Sequence, residues 1–430
     1  MLRIITQESE ALTELRRVSD RTHSEQIVHK ESTVREILQT VKRQGDQALI
    51  QYTQEFDGVN LSSQQLKIKD HEIDIAYQQI DRELLDAIKL AAANIEDFHR
   101  QRVPKSWVEF KDLDVVLGKR YTPVDKAGIY IPGGMAAYPS TVLMNAIPAK
   151  VAKVPRIAMV TPPGKDGQIN PTVLVAAHIA GITEIYRVGG AQAIAALAYG
   201  TDTIAKVDVI TGPGNIYVTL AKKQVYGIVG IDSLAGPSEV LIIADSYANP
   251  VYIAADMLAQ AEHDAMAAAI LITTDDLLAK KVQAEVDWQL KEHPRKLLTE
   301  KAIANYGLII VVNSIDIAAD LSNEFAPEHL ELEVKEPWDL LPKIRHAGAI
   351  FLGDSTPEAV GDYLAGPNHT LPTSGSARYA SALGVETFMK HSSIIQYSSK
   401  ALASVSRSIE ILAQAEGLPS HAESVRLRNH

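Results

Sequence analysis

From about residue 125 onward, short apolar segments alternate with segments of helical periodicity, and this alternation constrains the fold more than any other feature. The apolar segments are AGIYIPGG, RIAMVTPPG, EIYRVGG and VDVITGPG, and each precedes a helix-like segment. Because they are apolar throughout rather than at every second residue, they are typical of strands buried on both faces. The alternation predicts a largely parallel sheet covered by helices.

A second series of the same kind begins near Ser238 and contains EVLIIAD, AAAILITTD, GLIIVVN and AGAIFLGD. Glycine and proline cluster between the two series in GIDSLAGPSE, which marks a boundary. We therefore predict an α/β protein with two Rossmann-like β/α domains, mostly parallel sheets, and helical N-terminal and C-terminal segments. Near the N-terminus, Thr33 and Glu36 stand at capping-box spacing and predict a helix that begins there.

Composition narrows the classes of function. The 430-residue chain has a net charge of −11 and no cysteine. The negative charge argues against the clustered basic face of a nucleic-acid binder, and no apolar stretch reaches the about 18 residues of a membrane span. Without cysteine, any metal must be held by histidine, carboxylate or amide groups. Since the N-terminal segment also lacks the apolar core of a signal peptide, we expect a cytoplasmic protein.

Glycine-rich turns follow three of the predicted strands, in YIPGGM, VGGAQ and TGPGN. Glycine lets the backbone approach a ligand closely, and the N-terminus of a following helix favours phosphate. Because parallel strands end at the same sheet edge, these turns predict a nucleotide or other small-molecule site there. None fits the GxGxxG fingerprint, and each turn alone is also typical of an ordinary strand–helix connection.

Two motifs late in the chain could carry chemistry. In AQAEHD, Gln260 and His263 are three residues apart in a predicted helix and so share a face suited to a metal. In EFAPEHLELEV, Glu328 and His329 offer two neighbouring proton carriers. Side chains alternate along a strand, so both can face one point only if Pro327 bends the chain. Taken alone, the first motif is more typical of a polar helix end, and the second of an exposed turn.

The segment TPEAVGDYLAGPNHTLPTSGSARYASALG contains Asp362 and His369 and predicts a long irregular loop. A loop of this length in a compact domain is usually functional or disordered, and its apolar residues favour order. The tail segment EGLPSHAES contains Glu416 and His421. In isolation these two residues would be assigned to a frayed terminus.

Together these stretches resemble the histidinol dehydrogenase family along nearly the whole chain. The resemblance is carried by YTQEFDG, NIEDFHRQRVP, AGIYIPGG, YPSTVLMNAIPAKVA, VGGAQAIAALAYGT, DVITGPGNIYV, DSLAGPSEVLIIAD, AQAEHD, NEFAPEHLEL and GDYLAGPNHTLPTSGSARYASALGV. It implies a zinc enzyme that oxidises L-histidinol to L-histidine through L-histidinaldehyde with two NAD, in the last step of histidine biosynthesis. It also implies a homodimer in which the tail reaches the neighbouring subunit's site.

The resemblance further implies a role for individual residues. Glu328 and His329 match the catalytic acid–base pair. The implied ligands of one zinc ion per subunit are Gln260, His263, Asp362 and His421. The implied substrate contacts are Ser238, His369 and Glu416, together with His329 and the four zinc ligands. The implied nucleotide contacts are Tyr130, Gln192 and Asn215.

We expect four segments along the chain. Residues 1–26 form an N-terminal helical segment, and residues 27–129 and 238–383 form a first α/β domain with the zinc and catalytic residues. Residues 130–237 form a second α/β domain on the nucleotide side, and residues 384–430 form a helical tail. Two alternatives stay open: a relative that oxidises another amino alcohol or a hydroxy acid, and a non-catalytic α/β binding protein.

Overall fold

The computed structural model describes residues 2–22, 26–133 and 137–429. Its strands are β1 (Arg3–Ile5), β2 (Trp107–Lys111), β3 (Val115–Pro123), β4 (Lys126–Tyr130), β5 (Arg156–Thr161), β6 (Glu184–Arg187), β7 (Val209–Thr211), β8 (Gly230–Ile231), β9 (Glu239–Ala244), β10 (Ala268–Thr273), β11 (Gly307–Val311), β12 (His329–Glu333), β13 (Ala349–Leu352) and β14 (Met389–Gln396).

The α-helices are α1 (Glu8–Ser19), α2 (Gln26–Gln44), α3 (Asp46–Asp57), α4 (Ser63–Leu66), α5 (Asp70–Gln79), α6 (Arg82–Arg100), α7 (Pro139–Val151), α8 (Pro171–Ile179), α9 (Gly190–Tyr199), α10 (Ile216–Val225), α11 (Pro250–Ala261), α12 (Asp276–Gln289), α13 (Lys296–Tyr306), α14 (Ile315–Phe325), α15 (Pro337–Leu340), α16 (Glu358–Tyr363), α17 (Ser399–Ala415) and α18 (Pro419–Arg426). Within the described ranges, no helix combines the length and apolar character that a membrane span requires.

A six-stranded parallel sheet has the strand order β1-β11-β10-β9-β12-β13. Every residue of β9 and β10 is buried, as their continuous apolar character predicts. Helices α11, α12 and α13 cover one face of this sheet, and α1 and α14 cover the other. The result is a three-layer α/β lobe with two hydrophobic cores.

A five-stranded parallel sheet has the order β6-β5-β4-β7-β8 and forms the centre of the second lobe. Helices α2, α3, α9 and α10 bury apolar residues on one face, and α5 to α8 bury them on the other. From β4 the chain runs outward through β5 and β6, then crosses to β7 and β8 on the opposite side. The carboxyl ends of β4 and β7 therefore flank a topological switch point, where ligands bind in folds of this type.

The predicted fold class is confirmed, but the lobes divide the chain differently from the expected segments. Residues 27–100 carry helices whose apolar faces pack on the five-stranded sheet, not on the sheet that follows residue 238. The N-terminal segment contributes a strand, β1, which pairs with β11. The C-terminal segment begins with β14, which pairs antiparallel with β3 in a three-stranded sheet with β2.

Candidate active site

Glu328 and His329 stand where the chain turns from α14 into β12. Ala326 ends α14 in the left-handed region, at φ 53°, and Pro327 separates it from the strand. The Glu328 carboxylate oxygen Oε2 then lies 3.7 Å from His329 Nδ1, and both side chains are buried. The predicted bend is therefore present, and it brings two consecutive side chains to one place.

The backbone of Glu239, the first residue of β9, holds both side chains through the two peptide groups that flank its Cα atom. Its N–H donates to Glu328 Oε2 at 3.0 Å, and its carbonyl oxygen accepts from His329 Nδ1 at 3.0 Å. Because a carbonyl oxygen can only accept, the proton of a neutral His329 lies on Nδ1 and leaves Nε2 with a free lone pair. Nε2 is buried and has no hydrogen-bond partner among the described residues.

Burial shifts the pKa values of this pair in opposite directions. It raises the pKa of Glu328 well above its usual value, and the nearby Glu239 carboxylate adds to that shift. It lowers the pKa of His329 to about 4, against a weaker opposing effect of Asp362. Loss of solvation penalises the charged form of each group, so the site favours a protonated carboxyl beside a neutral imidazole. Pairs of titratable groups separated in this way are frequent in active sites.

A group of candidate metal ligands lies next to this pair. One potential ligand atom each of His263, Glu358 and Asp362 lies within 4.8 Å of the others. The amide nitrogen of Gln260, in the orientation that lets it donate, lies 2.8 Å from Glu358 Oε2 and 3.3 Å from the Glu239 carbonyl oxygen. That orientation directs the amide oxygen away from these acceptors. Imidazole, carboxylate and amide donors fit zinc chemically.

The helix predicted to contain AQAEHD ends within the motif. Helix α11 ends at Ala261, and His263 follows it in a tighter turn. The N–H of His263 donates to the Gln260 carbonyl oxygen at 3.3 Å. Gln260 is fully buried and His263 is exposed. The two residues therefore belong to a helix terminus rather than to one continuous helical face, and both remain at the same end of the sheet.

A cavity of about 370 Å³ adjoins this group and is lined by His329, Asp362 and His369. Its opposite wall includes Phe98 and His99 from α6, so it lies between the two lobes. His369 Nδ1 lies 3.7 Å from Asp362 Oδ1. Although burial opposes the shift, this imidazole holds the pKa of Asp362 below its usual value. The predicted long loop therefore supplies one wall of the cavity, and it includes a short helix, α16.

A larger cavity, of about 1490 Å³, lies at the carboxyl edge of the five-stranded sheet. Tyr130, Gln192 and Asn215 all line it, together with residues of the three glycine-rich turns. The oxygen of the buried Gln192 amide has no hydrogen-bond partner among the described residues. Space, glycine-rich turns and an unpaired polar atom fit an elongated polar ligand such as a dinucleotide.

The remaining predicted residues are placed differently. Ser238 precedes β9, and its carbonyl oxygen accepts from the N–H of Ala268 at 3.0 Å. Glu416 and His421 are exposed on the tail, where α18 packs against α17. Within the part of the chain that the structure describes, His421 does not join the ligand group around Asp362.

Three residues of the site carried no sequence signal. Glu239 appeared only as one polar residue at the start of an apolar strand. Glu358 opens α16 inside the long loop, and Arg21 stands far from the site in the chain. The reason is that each acquires its partners only through contacts between distant segments, as the Arg21–Glu239 hydrogen bond across 218 residues illustrates.

The fold and the site define an α/β protein with a candidate metal-binding active site and a separate nucleotide-sized cavity. A family model described as histidinol dehydrogenase matches residues 20–429. Histidinol dehydrogenase 2 of Trichormus variabilis is 73% identical over 428 residues, which are 100% of this chain and 99% of the relative. The enzyme of a Synechococcus species is 69% identical, with the same coverage of each chain.

A crystal structure of histidinol dehydrogenase from Elizabethkingia anophelis superposes with a TM-score of 0.89 and 41% identity, and it covers 92% of this chain and 91% of the other. The chain therefore belongs to the histidinol dehydrogenase family and is an oxidoreductase.

Proposed function

We propose that this protein oxidises L-histidinol to L-histidine through L-histidinaldehyde, with one zinc ion per subunit and two NAD, as the last step of histidine biosynthesis. One observation carries the proposal: Glu328 and His329 are both held by the backbone of Glu239, beside the ligand group of His263 and Asp362. Membership of the histidinol dehydrogenase family supports the choice of substrate.

We assign zinc to Gln260, His263 and Asp362 of one subunit and to His421 of the partner subunit. The N/O donor set suits zinc, and the absence of cysteine agrees with it. Bound there, zinc would take up the imidazole and amine of histidinol and so fix the carbinol carbon. The buried carboxyl of Glu358 orients the Gln260 amide by accepting from its nitrogen.

In the first oxidation His329 acts as the base. Its Nε2 atom has no hydrogen-bond partner in the described part of the chain, its ring lines the cavity, and its lowered pKa keeps it neutral at working pH. It accepts the hydroxyl proton as hydride leaves the carbinol carbon, which gives the aldehyde. The hydrogen bond from Nδ1 to Glu239 holds the ring in the orientation that this transfer needs.

In the second oxidation Glu328 acts on water. An ionised carboxylate with a raised pKa is a stronger base than an ordinary one, so it removes a proton from the water that hydrates the aldehyde. His329 again accepts a hydroxyl proton as the second hydride leaves, and the product is a carboxylate. Confinement between the lobes would keep the reactive aldehyde from solvent.

We assign the larger cavity to NAD, which supplies the hydride acceptor, with contacts from Tyr130, Gln192 and Asn215. We assign substrate contacts to Ser238 and His369, and to Glu416 of the partner subunit. Residues that bind zinc also contact the substrate in this scheme, as does His329.

We also propose a homodimer and a cytoplasmic location. Large apolar side chains are exposed on the three-stranded sheet and on the tail, among them Phe110 at 78%, Ile395 at 70% and Leu412 at 64%. Apolar surface of this extent favours coverage by another molecule, and a second copy accounts for tail residues that lie outside their own subunit's ligand group. The family's biosynthetic role supports the location.

The decisive experiment combines metal removal with product counting. Chelator-treated protein should not reduce NAD with L-histidinol, and added zinc should restore the reaction. The restored protein should form two NADH per L-histidinol consumed, with L-histidine as product. Activity in metal-free protein would contradict the zinc assignment. A strong preference for a hydroxy acid or another amino alcohol would contradict the substrate assignment.

A further inference from the structure

The guanidinium group of Arg21 lies beneath the catalytic pair and is completely enclosed. Arg21 follows α1, and its side chain is 1% exposed. Its Nη1 donates to the Glu239 carboxylate at 2.9 Å and to the Val18 carbonyl at 2.6 Å. Its Nε donates to the Met266 carbonyl at 2.8 Å, and its Nη2 to the Pro237 carbonyl at 3.0 Å. One side chain therefore ties three segments together at the start of β9.

The partner of Arg21, Glu239, is the residue whose backbone holds the catalytic pair. Its side chain is fully buried and accepts from Arg21 and, at 3.3 Å, from the N–H of Ser374. Its own N–H and carbonyl bond Glu328 and His329, and its carbonyl also lies 3.3 Å from the Gln260 amide nitrogen. Any displacement of the Glu239 backbone would therefore move the hydrogen-bond partners of Glu328, His329 and Gln260 at once.

We propose that Arg21 is a positioning residue. It fixes the Glu239 side chain and the Pro237 carbonyl group, and so holds Glu328 and His329 in the geometry that catalysis needs. This inference rests on the proposed function, since it takes Glu328 and His329 as the residues that transfer protons in catalysis. Arg21 touches neither substrate nor cofactor in this scheme. Its effect passes through the Glu239 backbone, which makes the N-terminal segment part of the catalytic apparatus.

The physical expectation is a loss of rate rather than of binding. Displacement of a base by about 1 Å can lower a rate by about 10²-fold. The cavity assigned to NAD is built from the other lobe, so NAD binding should be unaffected. Arginine is required rather than a simple cation, because four acceptors on three segments need its planar fork. Lysine would preserve the charge and lose most of these bonds.

The test compares Arg21→Lys, Arg21→Met and the double variant Arg21→Met/Glu239→Gln as full-length, zinc-loaded proteins. Arg21→Met alone leaves a buried, unpaired carboxylate and is expected to unfold at lower temperature. The double variant removes both charges, so its thermal midpoint should return toward the parental value. Its kcat should remain roughly 10- to 100-fold low, with KM for NAD within about twofold of the parental value. Arg21→Lys should have an intermediate kcat.

Arg156→Met is the matched control. Arg156 also pairs with a partly buried carboxylate, that of Glu184 at 2.5 Å. This ion pair lies at the edge of the five-stranded sheet opposite the larger cavity. Arg156→Met should lower the thermal midpoint and leave kcat unchanged. A folded double variant with the parental kcat would overturn the inference. Full turnover in Glu328→Gln and His329→Gln proteins would instead overturn the proposed function.

Discussion

At the scale of single residues, the properties of the proposed catalytic pair have one local cause and one distant cause. The order Pro327, Glu328, His329 puts two proton carriers at a bend, and this part was readable from the sequence. The pKa shifts are not local, because both depend mainly on burial by the folded chain, and that of Glu328 depends also on the carboxylate of Glu239. The same is true of the Nδ1 proton of His329, whose acceptor lies 90 residues away.

The raised pKa of Glu328 predicts the pH dependence of the proposed second oxidation. Glu328 can accept a proton from water only when ionised, so kcat/KM for L-histidinaldehyde should rise with pH through the Glu328 pKa and then level off. The pKa of His329, about 4, lies lower, so its protonation limits the rate only in more acidic solution. In Glu328→Gln the rise should disappear, and aldehyde turnover should fall ~10²–10⁴-fold.

The control is His329→Gln, which should impair both the alcohol and the aldehyde steps, with little loss of metal or histidinol binding in either variant. Steady-state rates across pH with each substrate measure the difference. A Glu328→Gln protein that retained the parental pH profile would exclude Glu328 as the base that acts on water.

At the scale of elements, the site depends on a close backbone approach between the start of β13 and the residues that precede β12. The N–H of Gly348 donates to the Pro327 carbonyl at 2.9 Å, and the N–H of Ala349 donates to the Glu328 carbonyl at 2.9 Å. A Cβ atom added at Gly348 would stand 2.6 Å from the Glu328 carbonyl oxygen and 3.2 Å from Leu371. Backbone contacts this close leave no room for a side chain.

Gly348→Ala is therefore expected to push the Glu328 peptide out of place. The free energy of unfolding should fall by about 1–3 kcal/mol, typical of overpacking, and kcat should fall more than about tenfold. Gly230→Ala is the control: its added Cβ would stand 3.3 Å from the nearest atom, on a short strand of the other sheet. Denaturant unfolding and steady-state kinetics measure both effects. Equal loss of kcat in the two variants would contradict the specific role of Gly348.

Element boundaries show where sequence patterns were insufficient. The capping-box spacing of Thr33 and Glu36 predicted a helix start, but α2 begins at Gln26 and Thr33 Oγ1 instead donates to the His29 carbonyl within the helix. The strands β1 and β14 were missed for a related reason. β1 is only three residues long, and most residues of β14 are exposed, so neither has the continuous apolar character of a buried strand.

At the scale of the whole molecule, the arrangement of the tail makes a dimer testable. His421 and Glu416 are exposed and lie outside the ligand group of their own chain. If each site takes its tail residues from the other subunit, a dimer of one His421→Ala chain and one His329→Ala chain contains one complete site. A fully exchanged equal mixture of these inactive proteins should therefore recover roughly a quarter of the parental activity.

The control mixture combines His421→Ala with Glu416→Ala. Every site in such a mixed dimer receives one defective tail, so activity should not recover above that of the separate proteins. The measurement is turnover of L-histidinol after demonstrated subunit exchange. No recovery in the first mixture, despite exchange, would contradict sharing of sites between subunits.

The sequence by itself determined the features that depend on neighbours along the chain. The alternation of continuously apolar segments with helical segments was sufficient to predict two parallel-sheet units, because a strand buried on both faces must be apolar throughout. Strand-end turns predicted a ligand site at the sheet edge where the larger cavity lies. The Pro327 bend made Glu328 and His329 candidates, and the family resemblance then assigned their role. Only the tertiary structure decided that residues 27–100 pack on the five-stranded sheet, since amphipathic helices do not encode which sheet they cover. It alone brought Arg21, Glu239 and Glu358 to the site, because burial and hydrogen-bond partners are set by segments distant in the chain.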